Sequence, residues 1–115
     1  MKVVSWNCRG LGGYQKLEVI KKFKTMESAS IILIQETKKA AEDSLETIKI
    51  IWSKGTDLAT SANGASGGLL CWWNSDQYEM LMAIENRNWL LIKLESKESQ
   101  EKFWIGNVYG PTLNA

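Results

Sequence analysis

Ile31, Ile32, Leu33 and Ile34 stand in an unbroken apolar row. Branched apolar residues without polar alternation suit a strand covered on both faces, as in the middle of a sheet flanked by helices. A chain of 115 residues must find both covers within a single domain, residues 1–115, and layered α/β folds do so with short connections. The row ends in Gln35 and Glu36, which puts a carboxylate at the carboxyl end of a buried strand, where α/β proteins commonly carry ligand-binding groups. Glu36 is thus a candidate for chemistry, beside the plainer reading of a solvated loop carboxylate.

The residues before this row supply a partner strand and a helix. Lys2 to Cys8 read as a short buried strand, and Arg9, Gly10, Leu11, Gly12 and Gly13 as a flexible turn. Asn7 falls at that transition, where its amide either accepts from a backbone N–H of the turn or faces a ligand. The glycines lack the following Gly-Lys-Ser/Thr of a phosphate loop, and no Gly-x-Gly-x-x-Gly occurs. From Tyr14 to Glu27, Leu17, Ile20, Phe23 and Met26 recur every three positions, with Val19 pairing with Phe23, while Lys21, Lys22 and Lys24 fill the other face. That periodicity predicts an amphipathic helix. Strand, helix and strand make a βαβ unit with parallel strands and a right-handed crossover, which brings Asn7 and Glu36 to one rim.

A second helix is expected from about Glu42 to Trp52, with Ala41, Leu45, Ile48 and Trp52 on one stripe and Lys54 and Gly55 ending it. The period then changes to strands: a weak one near Leu58 to Ser61, followed by Gly67 to Trp73, Tyr78 to Ile84, Trp89 to Glu95 and Phe103 to Tyr109. Their short polar connections predict an antiparallel strand meander. Asn63 to Gly68 read as too small and flexible for a regular element, with Gly68 letting another backbone come close.

Composition excludes several chemistries. There is no histidine, the commonest general base and metal ligand. Cys8 and Cys71 match no metal spacing and read as reduced, buried thiols of an intracellular protein. No stretch reaches the roughly 18 apolar residues of a membrane span, and no signal peptide opens the chain, so the expected protein is soluble and not secreted. Residues 1–39 carry eight Lys or Arg against three Glu, while the whole chain nets only +1. A basic third of this kind is either a wet helix face or a surface for a polyanion. Six tryptophans are too much apolar area for so short a chain to enclose entirely, and some are expected to be exposed.

Taken in order, Ser5-Trp6-Asn7 with Arg9 and Gly10, Gln35-Glu36-Thr37, Ser66-Gly67-Gly68, and Asn107-Val108-Tyr109-Gly110-Pro111 resemble the amino-terminal half of the endonuclease/exonuclease/phosphatase family. They are most similar to the endonuclease of plant long interspersed (non-LTR) retrotransposons. The resemblance implies one half of a four-layered α/β sandwich that hydrolyses phosphodiester bonds with Mg²⁺ or Mn²⁺. It implies that Glu36 is a metal ligand, that Asn7 positions the attacking water or the phosphate and contributes to the metal site, and that Tyr109 hydrogen-bonds the phosphate. Arg9 is a weaker candidate for phosphate contact, equally a loop cation. DNA is the implied partner, and an intracellular location, the nucleus included, follows from it.

The family's second half carries an Asp-x-Asn pair and a terminal Ser-Asp-His, and neither stands in this sequence. The chain is therefore expected to be inactive alone, and to hold one sheet whose uncovered face promotes self-association. Two other readings stay open: a phosphatase or exonuclease of the same family, and a non-catalytic nucleic-acid or protein-binding remnant using the basic helix and exposed tryptophans.

Overall fold

A computed structural model describes residues 1–25, 28–51, 55–63, 66–86 and 88–109. Strand β1 (Val3–Asn7) leads through helix α1 (Tyr14–Thr25) to β2 (Ile31–Gln35). Helix α2 (Ala41–Ile51) precedes the hairpin of β3 (Thr56–Asn63) and β4 (Ser66–Trp73), and β5 (Tyr78–Glu85), β6 (Trp89–Ser96) and β7 (Lys102–Val108) follow. The expected stripe residues Met26 and Trp52, and Lys54, Gly110 and Pro111, lie outside the described residues.

The strands form two sheets, one of order β1-β2-β4-β3 and one of order β5-β6-β7. β1 and β2 are parallel, with Val3 opposite Ile31 and Asn7 opposite Gln35. β4 then runs antiparallel to both β2 and β3. The meander is confined to the second sheet, because the chain leaves the first at Trp73 through a turn organised by Asn74. Its carbonyl accepts from the backbone N–H groups of Gln77 and Tyr78, and its side-chain oxygen from that of Asp76 at 2.9 Å.

The apolar row of β2 is covered as its composition requires, but by two different layers. Ile32 and Ile34 pack with Ile20 of α1, Ile48 of α2, Leu70 and Trp72 in one core. Ile31 and Leu33, pointing the other way, join Leu69, Cys71 and Trp73 against Leu90, Ile92 and Leu94 of the second sheet. Adjacent residues of one strand alternate between faces, so the pair Trp72 and Trp73 fills both cores. Edge-on ring contacts tie each core to its rim, Trp6 to Phe23 at 5.6 Å and Tyr78 to Phe103 at 5.8 Å.

Several expectations need correction. The chain holds two face-to-face sheets, because the strands after Trp73 form a second layer instead of extending the first. The bare face is accordingly the outer face of that second sheet, where Met82 (51% exposed), Ile84 and Trp104 (48%) stand in the open. Lys93, cross-strand partner of both Met82 and Trp104, lies over the Trp104 ring at 5.9 Å. The strand expected over Gly67 to Trp73 is β4, opened one residue earlier by Ser66, so the irregular stretch expected over Asn63 to Gly68 does not extend to residues 66–68, and the weak strand near Leu58 is an eight-residue strand that ends at Asn63 and pairs along β4. Val19 is exposed instead of pairing with Phe23 in the core.

The two sides of the second sheet should differ sharply in mutational cost. Leu94→Ala, in the intersheet core, is expected to lower unfolding stability by about 3 kcal/mol, whereas Met82→Ala on the outer face should change it by no more than about 1 kcal/mol. Urea denaturation of both variants checks this, and equal losses would contradict the two-sheet packing.

Candidate active site

Parallel pairing brings the carboxyl ends of β1 and β2 to one rim, and the antiparallel β4 begins there. β7 ends there too, since the Asn107 side chain reaches the carbonyl oxygens of Ile34 and Leu70. Asn7, Glu36, residues 66–68 and Tyr109 therefore meet at a single end of the molecule, although 102 positions separate Asn7 from Tyr109.

Backbone hydrogen bonds lace the rim together. The N–H groups of Gly10 and Leu11 donate to the carbonyls of Glu36 and Thr37, at 2.6 and 2.7 Å. Thr37 and Lys38 in turn donate to Gly68 and Gly67, at 3.1 and 2.9 Å. The Glu36 loop is thus held from both sides. Gly68, at φ +90°, lies so close to Thr37 that an added Cβ would collide with the threonine hydroxyl and approach the Lys38 nitrogen at 3.2 Å. Here the expected close approach is met, and only glycine fits.

Three non-glycine residues of this rim adopt left-handed backbone conformations: Arg9 (φ 54°), Glu36 (φ 56°) and Lys38 (φ 57°). Each such conformation costs about 1 kcal/mol or more and persists only where surrounding structure imposes it, most often at ligand sites. Glu36 is half-buried, and no protein partner to its carboxylate is found among the described residues. Asn7 is exposed, and its side-chain oxygen accepts from the Arg9 N–H at 3.2 Å. The turn-stabilising reading of this amide is thereby met, with its NH₂ group left to face outward chemistry.

Two grooves flank the rim. One of about 350 Å³ is lined by Gly10, Leu11, Gly12, Lys16, Thr37, Lys38 and Lys39 and is basic. Lys16 serves structure there, donating to the carbonyls of Cys8 and Arg9 at 2.7 and 3.0 Å. The other, about 280 Å³, has a hydroxyl and amide lining from Ser61, Asn63, Ser66 and Asn88, with Tyr109 beside Gly67. Tyr109 is half-buried, and its N–H donates to the Asn88 carbonyl at 2.7 Å. Among the described residues no three His, Cys, Asp or Glu side chains cluster as a metal cage. A single carboxylate such as that of Glu36, half-buried at the rim, is nonetheless chemically compatible with Mg²⁺, which takes oxygen ligands and keeps several waters.

The thiols are not part of this chemistry. Burial pushes the Cys71 thiol up to about 12, against the opposing Asn107 hydrogen bond. Burial also raises that of Cys8, with the Gly10 N–H and Lys16 working in the other direction. Away from the rim, desolvation raises the Asp57 carboxyl despite Lys49.

Two rim residues were not singled out for a role by the sequence. Gln35 donates to Asn107 Oδ1 at 2.8 Å and to Ser5 Oγ at 3.0 Å, and Asn107 is buried (1% exposed) between the sheets. The available signal was alternation: Phe103, Ile105 and Asn107 share one strand parity, so an amide falls on the inward face of β7.

No family model and no curated protein sequence matches the chain. Solved structures do match, and they define the fold class as an α/β sandwich. The AP endonuclease LMAP from Leishmania major is similar over 97% of this chain and 42% of its own, with a TM-score of 0.72 and 15% identity. An endonuclease/exonuclease/phosphatase from Bacteroides vulgatus matches over 91% and 50%, at 0.72 and 13%. TDP2 from D. rerio, complexed with a single strand DNA product, matches over 96% and 47%, at 0.69 and 13%. The chain therefore has the endonuclease/exonuclease/phosphatase fold and spans about half the length of these structures.

Two outcomes follow from this geometry. Gly68→Ala should lower stability by about 2 kcal/mol or more, as a strained backbone and a clash coincide, and thermal unfolding measures it. Because the folded Cys71 holds its proton to about 12 against an ordinary 9.0, the native state binds more protons than the unfolded one between those values. Stability should fall as pH rises through that window, and Cys71→Ala should flatten the slope in urea titrations.

Proposed function

We propose that residues 1–115 form part of a metal-dependent phosphodiesterase domain of the endonuclease/exonuclease/phosphatase family, of the kind that nicks DNA in non-LTR retrotransposons. The observation that carries this reading is the meeting of Asn7, Glu36, residues 66–68 and Tyr109 at one rim of a fold shared with an AP endonuclease and with a DNA-bound TDP2. The βαβ unit accounts for Asn7 and Glu36 lying together, whereas nothing in the spacing of residues 66–68 and Tyr109 requires them to join.

In this reading Glu36 holds Mg²⁺ or Mn²⁺ with the Asn7 amide oxygen beside it, and the ion, when bound, neutralises charge on phosphoryl oxygens. The Asn7 amide orients the phosphate or the incoming water. Tyr109, at the mouth of the polar groove, donates its phenol to a phosphate oxygen. Arg9, Lys38 and Lys39 add positive charge on the strand's path, and DNA is the partner they suit. The left-handed Glu36 backbone is consistent with a group held in place for a ligand.

With no histidine in the sequence and one rim carboxylate, the groups that would take and return protons are missing, a loss worth roughly 10²- to 10⁴-fold. The 115 residues alone are thus inactive in hydrolysis while retaining weak metal and DNA affinity. The exposed Met82, Ile84 and Trp104 favour self-association through the outer face of the second sheet, to be read as a concentration-dependent mass in light scattering.

Titration of the chain with Mn²⁺, followed by paramagnetic broadening of amide signals, should affect Asn7 and Glu36 first. Glu36→Gln should abolish that effect, and plasmid nicking with Mg²⁺ should stay at background. Broadening elsewhere on the surface would refute the metal site, and robust Glu36-dependent nicking would refute the inactivity. A second reading, a non-catalytic nucleic-acid-binding remnant, is favoured by the basic groove around Lys38 and Lys39. It is the outcome if DNA affinity falls steeply with salt but ignores both Mn²⁺ and Glu36→Gln.

A further inference from the structure

Apolar packing holds the two sheets together but is non-directional, so it does not fix their register. One polar contact does so at the rim. Asn107 Nδ2 donates to the carbonyl oxygens of Ile34 at 3.1 Å and Leu70 at 2.9 Å, with Cys71 Sγ at 3.6 Å. Those two acceptors determine which way the amide faces and turn Oδ1 toward Gln35, whose Nε2 donates to it at 2.8 Å. The remaining Nε2 proton goes to Ser5 Oγ at 3.0 Å. Side chains of β1, β2 and β7 and the backbone of β2 and β4 are thereby joined in one network that runs from the buried Asn107 through the half-buried Gln35 to the exposed Ser5, and its buried end is of the kind that specifies a unique arrangement.

The network lies directly beneath the rim. Gln35 precedes Glu36 and pairs with Asn7 on one side and Leu69, neighbour of Gly68, on the other. Asn107 stands two residues before Tyr109. Asn7, Glu36 and Tyr109 are therefore each within two residues of a network member.

We propose that Gln35 and Asn107 are positioning residues: their amide pair sets the separation of the two sheets at the rim, and with it the placement of Glu36 relative to Tyr109. The consequence for metal and phosphate rests on the function proposed above. The positioning itself does not, and the test separates them.

In the ¹⁵N-labelled chain, hydrogen exchange is followed at the rim amides of Gly10, Leu11, Thr37 and Lys38 and at interior amides of β6. Gln35→Met keeps length without the amide, and Ile92→Val is a control that loosens the intersheet core without touching a hydrogen bond. Gln35→Met should accelerate rim exchange at least tenfold over the control while β6 exchange matches it, and should weaken Mn²⁺ broadening at Glu36 in parallel. Asn107→Leu, which removes the other amide of the pair, should accelerate exchange at the same rim amides. Rim exchange in Gln35→Met within twofold of the control overturns the proposal. Absence of Mn²⁺ broadening in the unsubstituted chain defeats the metal reading only, because the exchange measurements still decide the positioning. Should Asn107→Leu fail to fold, Gln35→Met carries the test.

Discussion

Everything in this molecule depends on β2 being covered from both sides. A strand whose first four residues are all apolar cannot present either face to water, and the two faces are answered by different parts of the chain. Ile32 and Ile34 take the helices, while Ile31 and Leu33 take the second sheet. With β2 fixed in the middle, β1 can pair with it only on one side and β4 on the other, which places the ends of all three at a common edge. The rim is a by-product of burying β2.

That rim is under constraint instead of being a loose end. Loops at strand ends ordinarily relax into favourable backbone conformations, yet Arg9, Glu36 and Lys38 are left-handed, with the Arg9 carbonyl bonded to Lys16 Nζ, the Glu36 carbonyl to the Gly10 N–H, and the Lys38 N–H to the Gly67 carbonyl of β4. The close approach of Gly68 to Thr37 is part of the same lacing. Glu36 accordingly stands on a fixed backbone although it lies outside any strand, and a carboxylate presented in this way can meet a ligand with little ordering still to be done. Lys38 and Lys39 line the basic groove beside it, in keeping with the phosphate-ester chemistry proposed for it.

Polar groups between the sheets carry a different burden. A buried amide is costly unless all its hydrogen bonds are made, and Asn107 is used at both of its polar atoms. The sites of least exposure thus include both the apolar cores and the one amide that joins them. The thiol of Cys71 sits beside that amide and is kept protonated by the same exclusion of water, which removes it from nucleophilic chemistry.

The sequence by itself determined that Ile31 to Ile34 form an interior strand, that a βαβ unit opens the chain, that Asn7 and Glu36 fall at strand ends, and that histidine chemistry is absent. These are local matters of periodicity, branching and residue type, and they can be read without knowing what packs on what. Which strands share a sheet is not local: β4 and β5 are separated by four residues, a connection equally short whether the chain stays in its sheet or crosses to another. The meander was therefore assigned to one layer where the chain makes two. Tertiary structure alone decided the role of Gln35 and Asn107, since 72 positions separate the two amides and each taken singly is an ordinary polar residue in a strand. A hydrogen bond needs both partners within about 3 Å, and only the closing of one sheet over the other brings them there.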